Sequence, residues 1–192
     1  MVKELSIEKE NYLLLHCCCA ICALPIIEYL KRKEKKIVLY FYNPNIYPKK
    51  EYLKRFKELQ KLSKIYKIKV GKGKYEHRKW LEYLKNNLKF PPENYPENSL
   101  RCQKCFELRL TQTVKHCLKR GYKEWSTTLS VNRFKDTNFI NQFAKTISEK
   151  NNLVYFQINL EANKAFQKGR ELSKKYNLYR QKYCGCEFSL KK

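Results

Sequence analysis

Short apolar, β-branched or aromatic runs at residues 12–15, 37–42, 68–70, 124–129 and 153–158 are separated by longer stretches of helical periodicity. This alternation limits what the chain can fold into more than any other property it has. Runs that are apolar at consecutive positions suit strands buried on both faces. Between them the spacing predicts helices from Pro25 through about Glu34 and over 51–66, 77–88, 105–120, 138–151 and 164–176. In 51–66, for example, Tyr52, Phe56, Leu59 and Leu62 recur at helical spacing with lysines between them. Strands alternating with helices predict an α/β fold: a mostly parallel sheet flanked by helices, with functional loops outside the carboxyl ends of the strands.

The one proline-rich stretch, 90–100, holds three of the six prolines and reads as an ordered surface loop rather than a boundary. We therefore expect a single domain over 1–192, with the cysteine-containing tail 177–192 packing back toward the functional site. A chain of 192 residues buries roughly 70% of its unfolded surface and needs no disulfide scaffold. Its nine cysteines require another explanation.

The uncharged stretch 11–27 fails as a membrane span. It contains Asn11, His16 and Pro25 and meets Glu28 at once, whereas a span needs ~20 mainly apolar residues. It fails as a signal peptide because Lys3 and Lys9 are outnumbered by Glu4, Glu8 and Glu10. The expected location is the cytoplasm, where thiols stay reduced and clustered cysteines bind metal or do redox chemistry. Forty-two Lys and Arg against 18 Asp and Glu give a formal charge of +24. An AT-rich genome also favours lysine, but so strong a positive field on a small domain attracts phosphate backbones, which points to a nucleic-acid partner.

The cysteines fall into three groups: Cys17, Cys18, Cys19 and Cys22; Cys102 and Cys105; Cys184 and Cys186, with Cys117 apart. Two Cys-x-x-Cys pairs plus the adjacent Cys18 supply enough thiolates for a four-sulfur metal site. Adjacent cysteines do not easily reach one small tetrahedral ion, so the spacing favours an iron–sulfur cluster, with zinc the second choice. Cys17 and Cys117 read as small buried hydrophobes, and His16 and His116 as packing or hydrogen-bonding residues. Cys184-Gly185-Cys186 suits a strained, easily reduced disulfide acting as a redox relay; extra metal ligands or an inert terminal pair are the alternatives.

The segments His16–Cys22, Tyr42-Asn43-Pro44-Asn45-Ile46, Arg101–Phe106 with Arg109, Thr127–Ser130 with Lys135, and Tyr179–Cys186 together resemble the QueH type of epoxyqueuosine reductase over nearly the whole chain. The resemblance implies a fold similar to the nucleotide-binding α-hydrolases. It implies a cytoplasmic oxidoreductase that removes the epoxide oxygen of epoxyqueuosine in tRNA, the last step of queuosine biosynthesis. It also implies a 4Fe-4S cluster and no cobalamin.

Carried over by position, Cys18, Cys19, Cys102 and Cys105 are the implied cluster ligands, and Cys184 and Cys186 a redox-active pair. Cys22 stands where some relatives have Asp, which implies a ligand for an additional mononuclear iron. Ile21 replaces the family's usual proline. Lys135, Arg180 and Tyr183 are expected to donate a proton or hold a phosphate, and Tyr42 and Tyr47 are candidates for stacking on anticodon-loop bases. The electron donor is not identified by the sequence. Two other classes compete. A tRNA thiolation enzyme should carry a Ser-Gly-Gly-x-Asp-Ser phosphate loop where this chain has Cys17–Cys22. A zinc-stabilised RNA-binding module would leave Cys184 and Cys186 without a role.

Overall fold

A computed structural model describes residues 11–190; Lys3, Lys9 and their acidic neighbours, on which the signal-peptide argument turns, lie outside them. The elements are β1 (Tyr12–His16), α1 (Ala20–Arg32), β2 (Lys36–Phe41), α2 (Lys49–Tyr66), β3 (Val70–Lys72), α3 (His77–Asn87), α4 (Leu100–Arg120), β4 (Glu124–Thr127), α5 (Thr137–Glu149), β5 (Val154–Tyr155) and α6 (Ala162–Lys175). All five strands are parallel, in the order β3-β2-β1-β4-β5. The expected α/β class holds.

β1 lies at the centre because it is buried on both faces. Leu13 and Leu15 pack with α1, α2 and α6 on one side, while Leu14 packs with Phe106, Leu110 and Ile140 of α4 and α5 on the other. The chain winds outward from β1 through β2 to β3, then returns to the other side of β1 for β4 and β5. The order of connections reverses between β1 and β4, and in open α/β sheets the crevice at such a reversal is where ligands bind. β1 ends at His16, immediately before the first cysteines.

Several boundaries differ from the sequence expectation. α1 starts at Ala20, not near Pro25, and Pro25 lies inside it. Pro25 cannot donate to the Ile21 carbonyl one turn back. α6 packs against that carbonyl with Gly169, where an added Cβ would come within 2.9 Å of the Ile21 oxygen. α4 begins at Leu100 instead of Cys105, which places both Cys102 and Cys105 in its first two turns. β4 stops at Thr127 and β5 is only two residues long, because the chain turns off the sheet into a 3₁₀ turn at Thr128–Val131 and into a loop after Tyr155.

Candidate active site

Cys17, Cys18 and Cys19 bridge the end of β1 and the start of α1, and backbone geometry sends their side chains in different directions. Cys17 is fully buried, with its amide on the Tyr40 carbonyl at 2.8 Å and its thiol on the Leu15 carbonyl at 3.3 Å. Cys19 has extended backbone (φ −167°) and caps α1, its sulfur accepting the Cys22 amide at 3.4 Å in the place usually taken by a hydroxyl or carboxylate. The sulfurs of Cys18, Cys19 and Cys22 consequently lie within 4.8 Å of one another.

Neighbouring groups prepare these sulfurs for negative charge. Thr128, at the end of β4, accepts the Cys18 amide at 3.0 Å and donates its hydroxyl to the Cys18 sulfur at 3.3 Å. The Gln181 side-chain amide donates to the Cys19 sulfur at 2.9 Å. The Asn132 amide approaches the Cys22 sulfur at 3.7 Å. Hydrogen bonds from Cys19 and Cys22 hold the Cys18 thiol well below its ordinary pKa against the opposing effect of burial, helped by Thr128 and the charge of Arg109. Sharing their protons with Cys18 pushes Cys19 up to about 12 and raises Cys22 as well.

Arg109 is reached across the molecule through Asn43. The Asn43 side chain donates to the Cys17 carbonyl at 2.9 Å and accepts from Arg109 at 2.5 Å, tying the end of β2 and the middle of α4 to the cysteine loop. His16 lies beneath this network. Burial, reinforced by the charge of Arg109, lowers its pKa to about 3. Neutral His16 must donate from Nε2 to the Tyr42 carbonyl at 3.0 Å, leaving Nδ1 to accept the Thr127 hydroxyl at 2.8 Å.

Above the loop lies a cavity of about 650 Å³ lined by, among others, Cys18, Cys22, Cys102, Lys135, Arg180 and Cys184. Asn45 Oδ1 and Arg109 Nε, both on lining residues, are buried without a hydrogen-bond partner among the described residues. Orphaned buried polar atoms are rare in native structures and are usually met by ordered water, an ion or a bound group. Sulfur donors on two chain segments, hydrogen bonds aimed at sulfur and the unpartnered Arg109 Nε–H donor fit an iron–sulfur group.

The family model described as Epoxyqueuosine reductase QueH matches residues 13–192. A protein of that name from Thermotoga maritima is 37% identical over 180 residues, covering 92% of this chain and 89% of that protein. Another, from Haemophilus influenzae, is 34% identical over 183 residues, covering 95% of this chain and 73% of that protein. A third, from Staphylococcus epidermidis, is 34% identical over 186 residues, covering 94% and 76% respectively. The chain belongs to the QueH family.

The QueH-type residues named from sequence fall into three situations. Cys18, Cys19 and Cys22 are gathered by the β1–α1 turn, and Cys102 faces the same cavity from α4. Cys105 does not line that cavity; it is buried with Trp80, Leu84 and Cys186. Cys184 lines the cavity with its sulfur 3.2 Å from Lys135 Nζ. A hydrogen bond from Cys186 lowers the Cys184 pKa well below the ordinary value against an opposing desolvation, although the residue as a whole is exposed, and Lys135 adds to the effect. Burial opposes the charge on Lys135, but Cys184 and Cys18 outweigh it and raise the Lys135 pKa. All nine cysteines are free thiols, so the Cys184–Cys186 pair is present in its dithiol form.

Tyr183 donates its hydroxyl to the Tyr47 carbonyl, and burial pushes its pKa up to about 12. Tyr42 is buried against Tyr40 and has no open face for a base, whereas Tyr47 is 42% exposed and stacks on His77. Sequence reasoning missed Arg55. This buried residue of α2 donates to the Cys184 carbonyl at 2.9 Å and the Tyr183 carbonyl at 3.1 Å while pairing with Glu51 at 2.7 Å. It also quoted Thr128 and Gln181 as motif residues without assigning the hydrogen bonds to sulfur that they make. Arg55 falls at helical spacing from Tyr52, Leu59 and Leu62, on the buried stripe of α2, so a basic residue on an apolar face was the sequence signal that could have found it.

Proposed function

We propose that this chain is an epoxyqueuosine reductase that removes the epoxide oxygen of epoxyqueuosine in tRNA to give queuosine. The observation that carries this reading is the pairing of two sulfur groups across one cavity: Cys18 and Cys22 on one wall, with the buried Cys19 sulfur grouped behind them, and Cys184 beside Lys135 on the other. Converting an epoxide to an alkene consumes two electrons and two protons and releases the oxygen as water. Oxidising the Cys184 thiolate and the Cys186 thiol to a disulfide releases two electrons and one proton; Lys135 gives the second proton, so that together they match that demand, and an external donor of unidentified kind then restores the pair.

The proposed cluster is of the 4Fe-4S type, held by Cys18, Cys19, Cys102 and Cys105, with Cys22 reserved for a second, mononuclear iron; no cobalamin is involved. Geometry supports Cys18, Cys19 and Cys22 directly and Cys102 through the shared cavity, whereas Cys105 rests on family resemblance alone. When bound, such a cluster supplies electrons singly at low potential. The chain's own part is to hold the substrate and manage protons. Lys135, charged beside the Cys184 thiolate, is the proton source for the departing oxygen. Arg180, exposed on the cavity wall, takes a phosphate of the RNA. Tyr183 shares that role only if its hydroxyl leaves the Tyr47 carbonyl.

The tail 177–192 belongs to the same functional unit. Gln181 contacts Cys19, Arg55 holds the carbonyls of residues 183 and 184, and the Gly185 carbonyl accepts the Tyr47 amide at 2.7 Å. No helix of the described residues is long and apolar enough to cross a membrane, which is consistent with a cytoplasmic enzyme.

The decisive experiment expresses this chain in a strain lacking its own epoxyqueuosine reductase and analyses tRNA nucleosides by mass spectrometry. Conversion of epoxyqueuosine to queuosine is expected. Persistence of epoxyqueuosine alongside folded, iron-loaded protein rejects the proposal.

A further inference from the structure

At the mouth of the cavity, on the loop between the 3₁₀ turn after β4 and α5, Phe134 is 55% exposed immediately beside Lys135. Its ring meets Phe166 of α6 edge to face, with centroids 5.5 Å apart and planes at 88°. The Arg133 guanidinium lies 4.6 Å from the Phe134 centroid and 4.4 Å from that of Phe166, and the Arg170 guanidinium is 5.9 Å from Phe166. Neither Arg133 nor Arg170 pairs with a carboxylate among the described residues; besides the two rings, Arg133 donates a hydrogen bond to the neutral Asn163 side chain, at 3.4 Å. Both rings and Arg170 line the cavity that Cys18, Cys22 and Cys184 also line.

Two aromatic rings held by arginines, without acidic neutralisation, leave the Phe134 ring exposed inside a positive field, propped by the edge-to-face contact with Phe166. A protein partner with an acidic face would use the charge but gain nothing from an exposed ring at a recessed mouth. A splayed-out nucleobase with its own phosphate uses both, because every base has a π-face and stacking on an aromatic side chain tolerates sequence. We propose that Phe134, backed by Phe166 and Arg133, is the stacking platform for an unstacked anticodon-loop base next to the modified nucleotide, with Arg170 holding an adjacent phosphate. This rests on the reading of the cavity as the site for tRNA, and it moves the stacking role from Tyr42 to residues the sequence did not single out.

The test measures affinity for an unmodified anticodon stem-loop RNA by fluorescence anisotropy across a salt series, with iron-loaded protein and thermal melts to confirm folding. Stacking worth ~1–3 kcal/mol corresponds to a weakening of about five- to a hundredfold for Phe134→Ala. Phe134→Leu, which keeps apolar cover but no π-face, should stay weak, and Phe134→Trp should restore binding. Arg170→Gln should lower the salt slope by about one, while Phe134→Ala leaves it unchanged. Wild-type affinity in Phe134→Leu or Phe134→Ala overturns the platform. If wild-type protein reduces epoxyqueuosine in tRNA yet affinity is indifferent to Phe134, the platform alone falls. If affinity depends on Phe134 and no reduction occurs, the platform stands and the enzymatic reading falls.

Discussion

The two sulfur groups facing the cavity are built on opposite principles. Cys18, Cys19 and Cys22 sit where the central strand meets a helix N-terminus, so sheet pairing, the helix cap and the packed faces of β1 fix their backbone. Cys184 and Cys186 lie in a stretch outside any strand or α-helix, positioned by side chains from far away in sequence: Arg55 of α2, Lys135 before α5, and Ile46 and Tyr47 after β2. Gly185 closes this arrangement. Its φ is +129°, and an added Cβ would meet Arg55 Nη1 at 2.9 Å. The difference suits the roles proposed for them, rigid ligands on one wall and a pair that changes oxidation state on the other.

That contrast can be broken at either wall. The largest effect is expected for Cys18→Ala, which removes a sulfur from the rigid group: iron content and epoxyqueuosine reduction should both collapse while the far-ultraviolet circular dichroism stays native. Cys184→Ala should retain iron and lose turnover with a physiological donor. Loss of iron in that variant would erase the division of labour between the two walls.

Arg55 tests whether the tail depends on a distant clamp. Arg55→Met leaves Glu51 buried without its cation and should cost about 3–5 kcal/mol in chemical denaturation. Adding Glu51→Gln should recover much of that stability. Proteolysis within residues 177–186 should remain faster than in wild type in the double variant, because the two carbonyls stay unheld. Gln181→Leu removes the donor to Cys19 and probes a contact that joins the tail to the cysteine loop; a loss of about 10–100-fold in iron affinity or activity is expected without unfolding.

The smallest effect concerns the sheet that carries the rigid wall. His116 stacks on Tyr40 of β2 with centroids 4.0 Å apart, and burial lowers its pKa to about 4, with Arg120 and Lys119 contributing. A histidine whose folded pKa lies below its unfolded 6.5 binds more protons when unfolded, so its neutral packing favours folding above that value and the benefit is lost as pH falls toward 4. His116→Gln should flatten the acid limb of stability between those values, read from denaturant midpoints at several pH settings.

The alternation of buried runs and amphipathic stretches was enough to read strands, helices and the placement of a cysteine loop at a strand's carboxyl end, because burial on both faces leaves a periodic trace. Buried Cys17 and Cys117, and His16 and His116 as packing residues, were legible for the same reason. Motif order carried the family. The start of α1 was not legible, since Pro25 lies inside it and the Ile21 carbonyl that Pro25 leaves without a donor is packed by Gly169, 148 positions after Ile21. Nor was the burial of Cys105 beside Trp80, which its spacing from Cys102 does not reveal.

What the sequence by itself determined is the class of fold, the supply of thiols and the family to which they belong, since these depend on composition, period and local spacing. Tertiary structure alone decided which sulfurs meet, which cation holds the tail and which aromatic ring stays exposed at the cavity mouth. The physical reason is that hydrogen bonds and burial act between residues brought together by the winding of the sheet, at separations such as 162 residues from Cys19 to Gln181 that no local pattern encodes.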